Sequence, residues 1–223
     1  MAEMYLVRHG QASFGSDDYD QLSPRGERQS VRLGEYFAAQ SFSFDRIVTG
    51  SMRRQHQTAD GILAGMGADI AREEDPGLNE YDFQSLCRLA TEQYPELKAE
   101  MEGGRSDFYR GFKRVLRLWA EDAIDGPVSE RWGDFQARVA AARRRIQMSG
   151  WRRVLVVSSG GVIAATTQQV LGAPPQSAID LNLQIYNSSL SRYLFNADTC
   201  ALGSFNSIPH LRPVEDAGLI TYG

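Results

Sequence analysis

Two short apolar runs, each stopped by a glycine turn, constrain this chain more than any other feature. Met4-Tyr5-Leu6-Val7 ends in Arg8-His9-Gly10, and Val154-Leu155-Val156-Val157 ends in Ser158-Ser159-Gly160-Gly161. Apolar runs without alternation fit strands covered by helices on both faces, as in a parallel sheet. Asp45-Arg46-Ile47-Val48-Thr49 reads as a third strand. Between the runs, Ser23 before Pro24 is a cap residue followed by a first-turn proline, which predicts a helix through about Ala39. A second helix is expected from near Ser51, with Ala59, Ile62, Leu63 and Met66 on one face. Strands alternating with helices make the expected fold α/β: a three-layer αβα sandwich around a mostly parallel sheet.

Residues 84–148 break that rhythm. Phe108, Phe112, Val115 and Trp119 recur at helical spacing, as do Trp132, Phe135, Val139, Ala142 and Ile146. The segment reads as a helical insertion after Glu80, its aromatic stripes core and its Arg143-Arg144-Arg145 run a solvated face. Leu190 to Phe195 and Cys200 to Phe205, joined through Asn196-Ala197-Asp198-Thr199, read as a C-terminal hairpin. No repeat or linker interrupts the pattern, so residues 1–223 are expected to form one domain.

Composition narrows the partners. Acidic residues outnumber basic ones, 28 to 24, so the basic footprint of a nucleic-acid binder is missing. No apolar run approaches the ~20 residues that span a bilayer, and the start lacks a basic segment followed by an apolar one. Cys87 and Cys200 make neither a metal-type pair nor a disulfide framework, so they are expected as reduced, buried thiols. The expectation is a cytoplasmic protein that binds neither nucleic acid nor membrane. All basic residues but Lys98 and Lys113 are arginine, which fits codon bias in a GC-rich bacterial genome. Oligomeric state is not readable from these patterns.

Parallel α/β sheets collect ligands beyond the carboxyl ends of their strands. Gly160-Gly161, ahead of an expected helix from Val162 to Leu171, offers backbone N–H groups to an anion, though a glycine pair equally makes a plain turn. Arg8-His9 adds chemistry. An imidazole near its ordinary pKa of ~6.5 keeps a lone pair at neutrality, and a guanidinium fork matches phosphate oxygens. The chain's His and Cys residues show no zinc spacing. Val157 stands where a serine nucleophile elbow requires glycine, and no nucleotide P-loop is present.

Leu6-Val7-Arg8-His9-Gly10-Gln11 resembles the signature of the histidine phosphatase superfamily, the phosphoglycerate mutase-like fold. Leu22-Ser23-Pro24-Arg25-Gly26-Glu27-Arg28-Gln29 resembles that family's element at the first helix. Thr49 to Ala59 resembles its second motif, in which an arginine precedes a threonine by four residues; that spacing selects Arg54 before Thr58, not Arg53. Leu78-Asn79-Glu80 resembles the motif of the acid/base glutamate, and Asn206 to Leu211, with His210, resembles the closing element. The resemblance spans both ends of the chain and fades across the helical insertion. It departs from the family where Ser159 stands in place of a second active-site histidine, and neither His56 nor His210 is an obvious substitute.

The resemblance implies a phosphomonoesterase acting on small phosphorylated metabolites. His9 would carry a phosphohistidine, Arg8, Arg54, Ser159 and Gly160 would hold the phosphate, and Glu80 would be the acid and base. Neither metal nor cofactor is implied. Two alternatives stay open: a weakly active or inactive phosphate-binding or interaction protein, on account of Ser159, and a phosphoglycerate-type mutase. Against the latter, Tyr81-Asp82-Phe83 follows Glu80, unlike the arginine-histidine-tyrosine-glycine of cofactor-dependent mutases.

Overall fold

A computed structural model describes residues 1–13, 20–212 and 214–222, with backbone only at Arg105. The first apolar run forms β1 (Ala2–Arg8), followed by α1 (Pro24–Ala39), β2 (Arg46–Thr49), α2 (Arg53–Met66) and β3 (Arg72–Glu74). The insertion comprises α3 (Phe83–Gln93), α4 (Pro95–Met101), α5 (Arg105–Ala120) and α6 (Trp132–Met148). The second apolar run forms β4 (Arg153–Ser158), and α7 (Gly160–Leu171), α8 (Pro175–Asn182), β5 (Leu190–Phe195) and β6 (Cys200–Ser207) complete the chain.

The sheet runs β3-β2-β4-β1-β5-β6. The four strands from β3 to β1 are parallel, while β5 and β6 add antiparallel to β1, so the sheet is mixed but mostly parallel. Side chains of β1 alternate between two cores, as the period of a strand requires. Tyr5 and Val7 pack with Leu33 and Phe37 of α1 and Ile62 of α2. Met4 and Leu6 face the other way, toward Trp119, Phe135, Val139 and Ile163 of the insertion and α7. The expected three layers follow from that alternation.

Local chemistry sets the ends of the elements that carry the site. Ser23 caps α1 with its hydroxyl, which accepts from the Gly26 N–H at 3.1 Å. Helix α7 begins at Gly160, two residues before its expected start, so both glycine N–H groups belong to its first turn. β3 and α8 were not expected. The β3 residues Arg72-Glu73-Glu74 carry no apolar run, because an exposed edge strand has no core to face.

The aromatic stripe of α5 divides. Val115 and Trp119 are buried core, whereas Phe108 and Phe112 line a cavity beside Glu80 and correct the reading of the whole stripe as core. Both cysteines are free and half-buried rather than buried. Arg145 makes a two-pronged ion pair with Asp75 at 2.8 and 2.6 Å, and Arg144 donates to the Ala197 carbonyl, so that run ties α6 to neighbouring loops. Among the described residues no helix is long and apolar enough to cross a membrane.

Candidate active site

The parallel pairing of β1 with β4 places Arg8 opposite Ser158, so both glycine turns leave the sheet side by side. His9 follows directly. Its N–H donates to the Ser158 carbonyl at 2.8 Å, and its ring is only 4% exposed. His9 Nδ1 lies 2.7 Å from the Gly10 carbonyl oxygen. A carbonyl can only accept, so Nδ1 carries the proton and Nε2 keeps its lone pair. That lone pair faces Arg54, whose Nε–H approaches Nε2 at 3.1 Å. Burial, then the Arg54 and Arg8 charges, hold the His9 pKa well below the ordinary histidine value, so the ring is neutral at physiological pH.

Gly10 is required by close packing, because a Cβ there would lie 2.5 Å from the Gly26 carbonyl oxygen. Its N–H donates to Thr58 Oγ1 at 3.0 Å, and Thr58 Oγ1 donates to the Arg54 carbonyl at 2.7 Å. The spacing of four between Arg54 and Thr58 therefore anchors the histidine turn to the first turn of α2. Arg54 is 4% exposed, and its Nη1 meets Asp20 at 2.6 Å. Arg8 donates from Nη1 to the Ile185 carbonyl.

Glu80 closes the far side of the group. Its Oε2 accepts from the Gly161 N–H at 2.9 Å and its Oε1 from its neighbour Tyr81 at 3.2 Å. Desolvation raises its pKa above the ordinary carboxylate value; the Gly161 hydrogen bond and the two arginines pull the other way without cancelling it. A carboxyl tuned upward beside a neutral imidazole and two guanidiniums can pass a proton to an oxygen leaving phosphorus.

Ser159 and Gly160 occupy different ground from that expected. Neither lines the cavity of about 480 Å3 that opens on Arg8, His9, Arg54 and Glu80. Ser159 is fully buried, and its Oγ accepts from Gln55 Nε2 at 2.9 Å; the same amide donates to the Leu78 carbonyl at 3.1 Å. A Cβ on Gly160 would lie 2.6 Å from Asn182 Oδ1 and 3.6 Å from Arg8 Nε, so this residue sits behind Asn182 and Arg8. As expected phosphate contacts, Ser159 and Gly160 thus differ from Arg8 and Arg54: they do not line the cavity, with Gln55 hydrogen-bonded to Ser159 and Asn182 set against Gly160.

The closing element acts by buttressing. Asn206 accepts from the Tyr186 N–H and donates to the Gln184 carbonyl, both at 2.8 Å. His210 Nε2 lies 2.8 Å from Ser188 Oγ, and burial pushes its pKa down to about 4. Together they hold the 184–188 loop, which supplies the Ile185 carbonyl to Arg8 and whose Ser188 N–H donates to the His9 carbonyl at 3.3 Å. Gln29 is a similar brace: it accepts from Gln11 N–H at 2.8 Å and donates to Thr221 Oγ1 at 2.9 Å. His56 stands apart, paired with Glu74 at 3.0 Å. Sequence reasoning gave no role to Gln11 and Gln55, which it quoted only as motif positions, and missed Asn182 and Asn187, since isolated amides carry no spacing signal. Among the described residues no group of three or more His, Cys, Asp or Glu is arranged to hold a metal.

Known proteins resemble this chain in sequence and in fold. A family model described as the histidine phosphatase superfamily, branch 1, matches residues 4–208. A protein named a probable phosphoglycerate mutase from Salmonella choleraesuis is 29% identical over 201 residues, covering 86% of this chain and 84% of its own. Among solved structures, Bacillus stearothermophilus YhfR superposes with a TM-score of 0.71 at 17% identity, covering 94% of this chain and 99% of its own. The α-ribazole phosphatase of Shigella flexneri gives 0.66 at 20% identity, with 92% and 96% covered. Phosphoserine phosphatase of Entamoeba histolytica, in complex with 3-phosphoglyceric acid, gives 0.67 at 20%, with 94% and 99% covered. The structural matches establish the common fold, and the family match over most of the length establishes descent: the chain belongs to the histidine phosphatase superfamily.

Proposed function

We propose that this protein hydrolyses small phosphate monoesters through a phosphohistidine on His9. One observation carries the reading: a buried, neutral His9 at the cavity wall beside two arginines, its proton fixed on Nδ1 and its Nε2 lone pair held by the Arg54 Nε–H, a contact the incoming phosphate takes over. Nε2 attacks phosphorus in line with the ester oxygen, forming the N–P bond as the P–O bond breaks. Glu80, protonated, delivers its proton to the departing alcohol. Arg8 and Arg54 neutralise the phosphoryl oxygens, which is where most of the help in phosphoryl transfer arises. Arg54 exchanges Asp20 for phosphate as the substrate enters. Water then attacks the phosphohistidine, gives a proton to the Glu80 carboxylate, and releases phosphate with His9 restored.

Ser159 is read here as standing where relatives of this family carry a second histidine. A serine brings no positive charge, so the arginine pair supplies the cationic field alone and turnover is attenuated rather than abolished. A pure phosphate-binding role has less support, because it gives no use to a Glu80 held above the ordinary carboxylate pKa. The reaction needs no metal, since the guanidiniums do the neutralising. The test is rapid quench with labelled 4-nitrophenyl phosphate in EDTA. An acid-labile, base-stable phosphoenzyme is expected in the wild type and none in His9→Ala. Wild-type turnover in His9→Ala, or loss of activity with chelator alone, overturns the mechanism.

A further inference from the structure

The cavity has two unlike ends. Arg8, His9, Arg54 and Glu80 gather at the phosphate end, while Phe83, Phe108, Tyr109, Phe112, Leu183 and Tyr222 make up much of the remaining wall. On α5, Phe112 lies one turn from both Phe108 (i, i+4) and Tyr109 (i, i+3). The Phe108 and Phe112 rings are nearly parallel, 17° apart with centroids at 6.1 Å, and Phe83 sets its edge against Phe112 at 6.2 Å. Tyr222 is held over Tyr186 with centroids at 4.5 Å, and its hydroxyl donates to that of Tyr186 at 2.9 Å. These contacts fix the rings before any ligand arrives, so little ordering cost remains to be met on binding.

Charge is distributed to match. Among the described lining residues the cations are Arg8 and Arg54, both at the phosphate end, and the anion is Glu80. A carboxylate or second phosphate on the far part of a substrate would lose its water there and find aromatic faces, whose electron density repels anions. Gln11, Asn182 and Asn187 offer neutral polar groups nearer the phosphate. An apolar cavity of about 150 Å3 accommodates a benzene ring, so the space of about 480 Å3 holds a phosphate with a ring system attached.

We infer that this site selects phosphate monoesters of uncharged aromatic alcohols, with Phe83, Phe108 and Phe112 reading the ring. The inference rests on the hydrolase reading above for its chemistry, in which water ends on phosphorus and the neutral alcohol leaves with the Glu80 proton. It sets the chain apart from relatives whose substrates carry a carboxylate beside the phosphate.

Binding tests it without turnover. Calorimetry on the intact protein compares benzylphosphonate with 2-carboxyethylphosphonate, which share a phosphonate and differ in ring against carboxylate. Benzylphosphonate is expected to bind at least about tenfold tighter, the lower bound for burying one aromatic side group. Phe108→Arg should narrow that ratio by about tenfold or invert it, and Phe112→Ala should narrow it in a protein whose melting temperature confirms folding. Equal affinities, or preference for the carboxylate, overturn the inference. The same holds if neither variant changes the ratio. In parallel, benzyl phosphate and 3-phosphoglycerate, both esters of primary alcohols, are assayed for hydrolysis. Ring-selective binding with no hydrolysis of either ester would sink the hydrolase reading and leave the selectivity standing; hydrolysis that favours 3-phosphoglycerate would do the reverse.

Discussion

Gly161→Ala isolates the proton donor. The Gly161 N–H holds Glu80 Oε2 at 2.9 Å, and alanine would keep that N–H. A Cβ at this position, however, would lie 2.3 Å from Glu80 Oε1 and 2.5 Å from the Tyr81 ring. Tyr81 cannot retreat: it is buried, 4.9 Å from Trp119 and 5.5 Å from Phe135 between ring centroids, and its hydroxyl accepts from Asn182 at 2.8 Å. The carboxylate must yield by roughly 1 Å, a misplacement that costs about 10²-fold in rate, and the start of α7 must shift to clear the Tyr81 ring. Overpacking adds a stability loss of about 1–3 kcal/mol. Protonation matters most for a poor leaving group, and kcat/KM excludes the later water step in which Glu80 acts as base, so kcat/KM on benzyl phosphate should fall by about 10²-fold and that on 4-nitrophenyl phosphate by much less. Phosphate binding should change little, because Arg8 and Arg54 are untouched. Steady-state kinetics on both esters, with thermal unfolding, make the measurement. Undiminished kcat/KM on benzyl phosphate in a folded variant would refute the steric argument. Equal losses on both substrates would refute Glu80 as the acid.

Ser159→His alone should fail, losing about 1–3 kcal/mol of stability, because the Gln55 amide occupies the space beside the Ser159 hydroxyl. With Gln55→Ala the histidine should fit, and kcat/KM should exceed that of Gln55→Ala by about tenfold; additive effects of the two changes would show that the residues are not coupled. The pH profile follows from Glu80 and His9. Corrected for the second ionisation of the phosphate ester near pH ~6, kcat/KM on an alkyl ester should hold as pH falls below 6.5, since His9 stays neutral there. It should decline as pH rises through the raised pKa of Glu80, and Glu80→Gln should remove that decline along with most of the rate. His210 gives a stability signature: its pKa is about 4 folded against 6.5 ordinarily, so stability present above pH 6.5 is lost as pH falls toward 4. That loss is on the order of 3 kcal/mol, and urea titrations of His210→Gln should show a correspondingly shallower acid dependence.

What could be read from the sequence was whatever backbone geometry imposes on residue type. Strand β1 must be apolar on both faces, Gly10 must lack a Cβ beside the Gly26 carbonyl, and Thr58 must stand one turn after Arg54 to anchor the Gly10 N–H. Such demands leave patterns of fixed spacing, and they led to the strands, the first helices and the Arg8-His9 turn, whereas Arg54 and Glu80 were reached through the family resemblance. The rest depends on direction rather than type. Phe108 and Trp119 belong to one helical stripe, yet one lines the cavity and the other is buried in the core. Ser159 follows strand β4 as expected, but Gln55, from a distant helix, takes its hydroxyl. No local spacing records that meeting.

The same division explains how one fold can serve different alcohols. In the proposed reaction phosphate is handled by groups fixed through the sheet: Arg8 at the end of β1, His9 on the turn after it, and Arg54 on the first turn of α2, tied to that turn through Thr58. Moving any of them disturbs the core, and the cost falls on stability as well as rate. The leaving-group wall comes instead from α3, α5, the end of α8 and Tyr222, elements outside the strand register. Side chains such as Phe108 can change there without altering how His9 meets phosphorus. An α-ribazole phosphatase and a phosphoserine phosphatase share this fold at 20% identity. Exchange of the α5 face should therefore shift substrate preference while the phosphoenzyme chemistry at His9 persists.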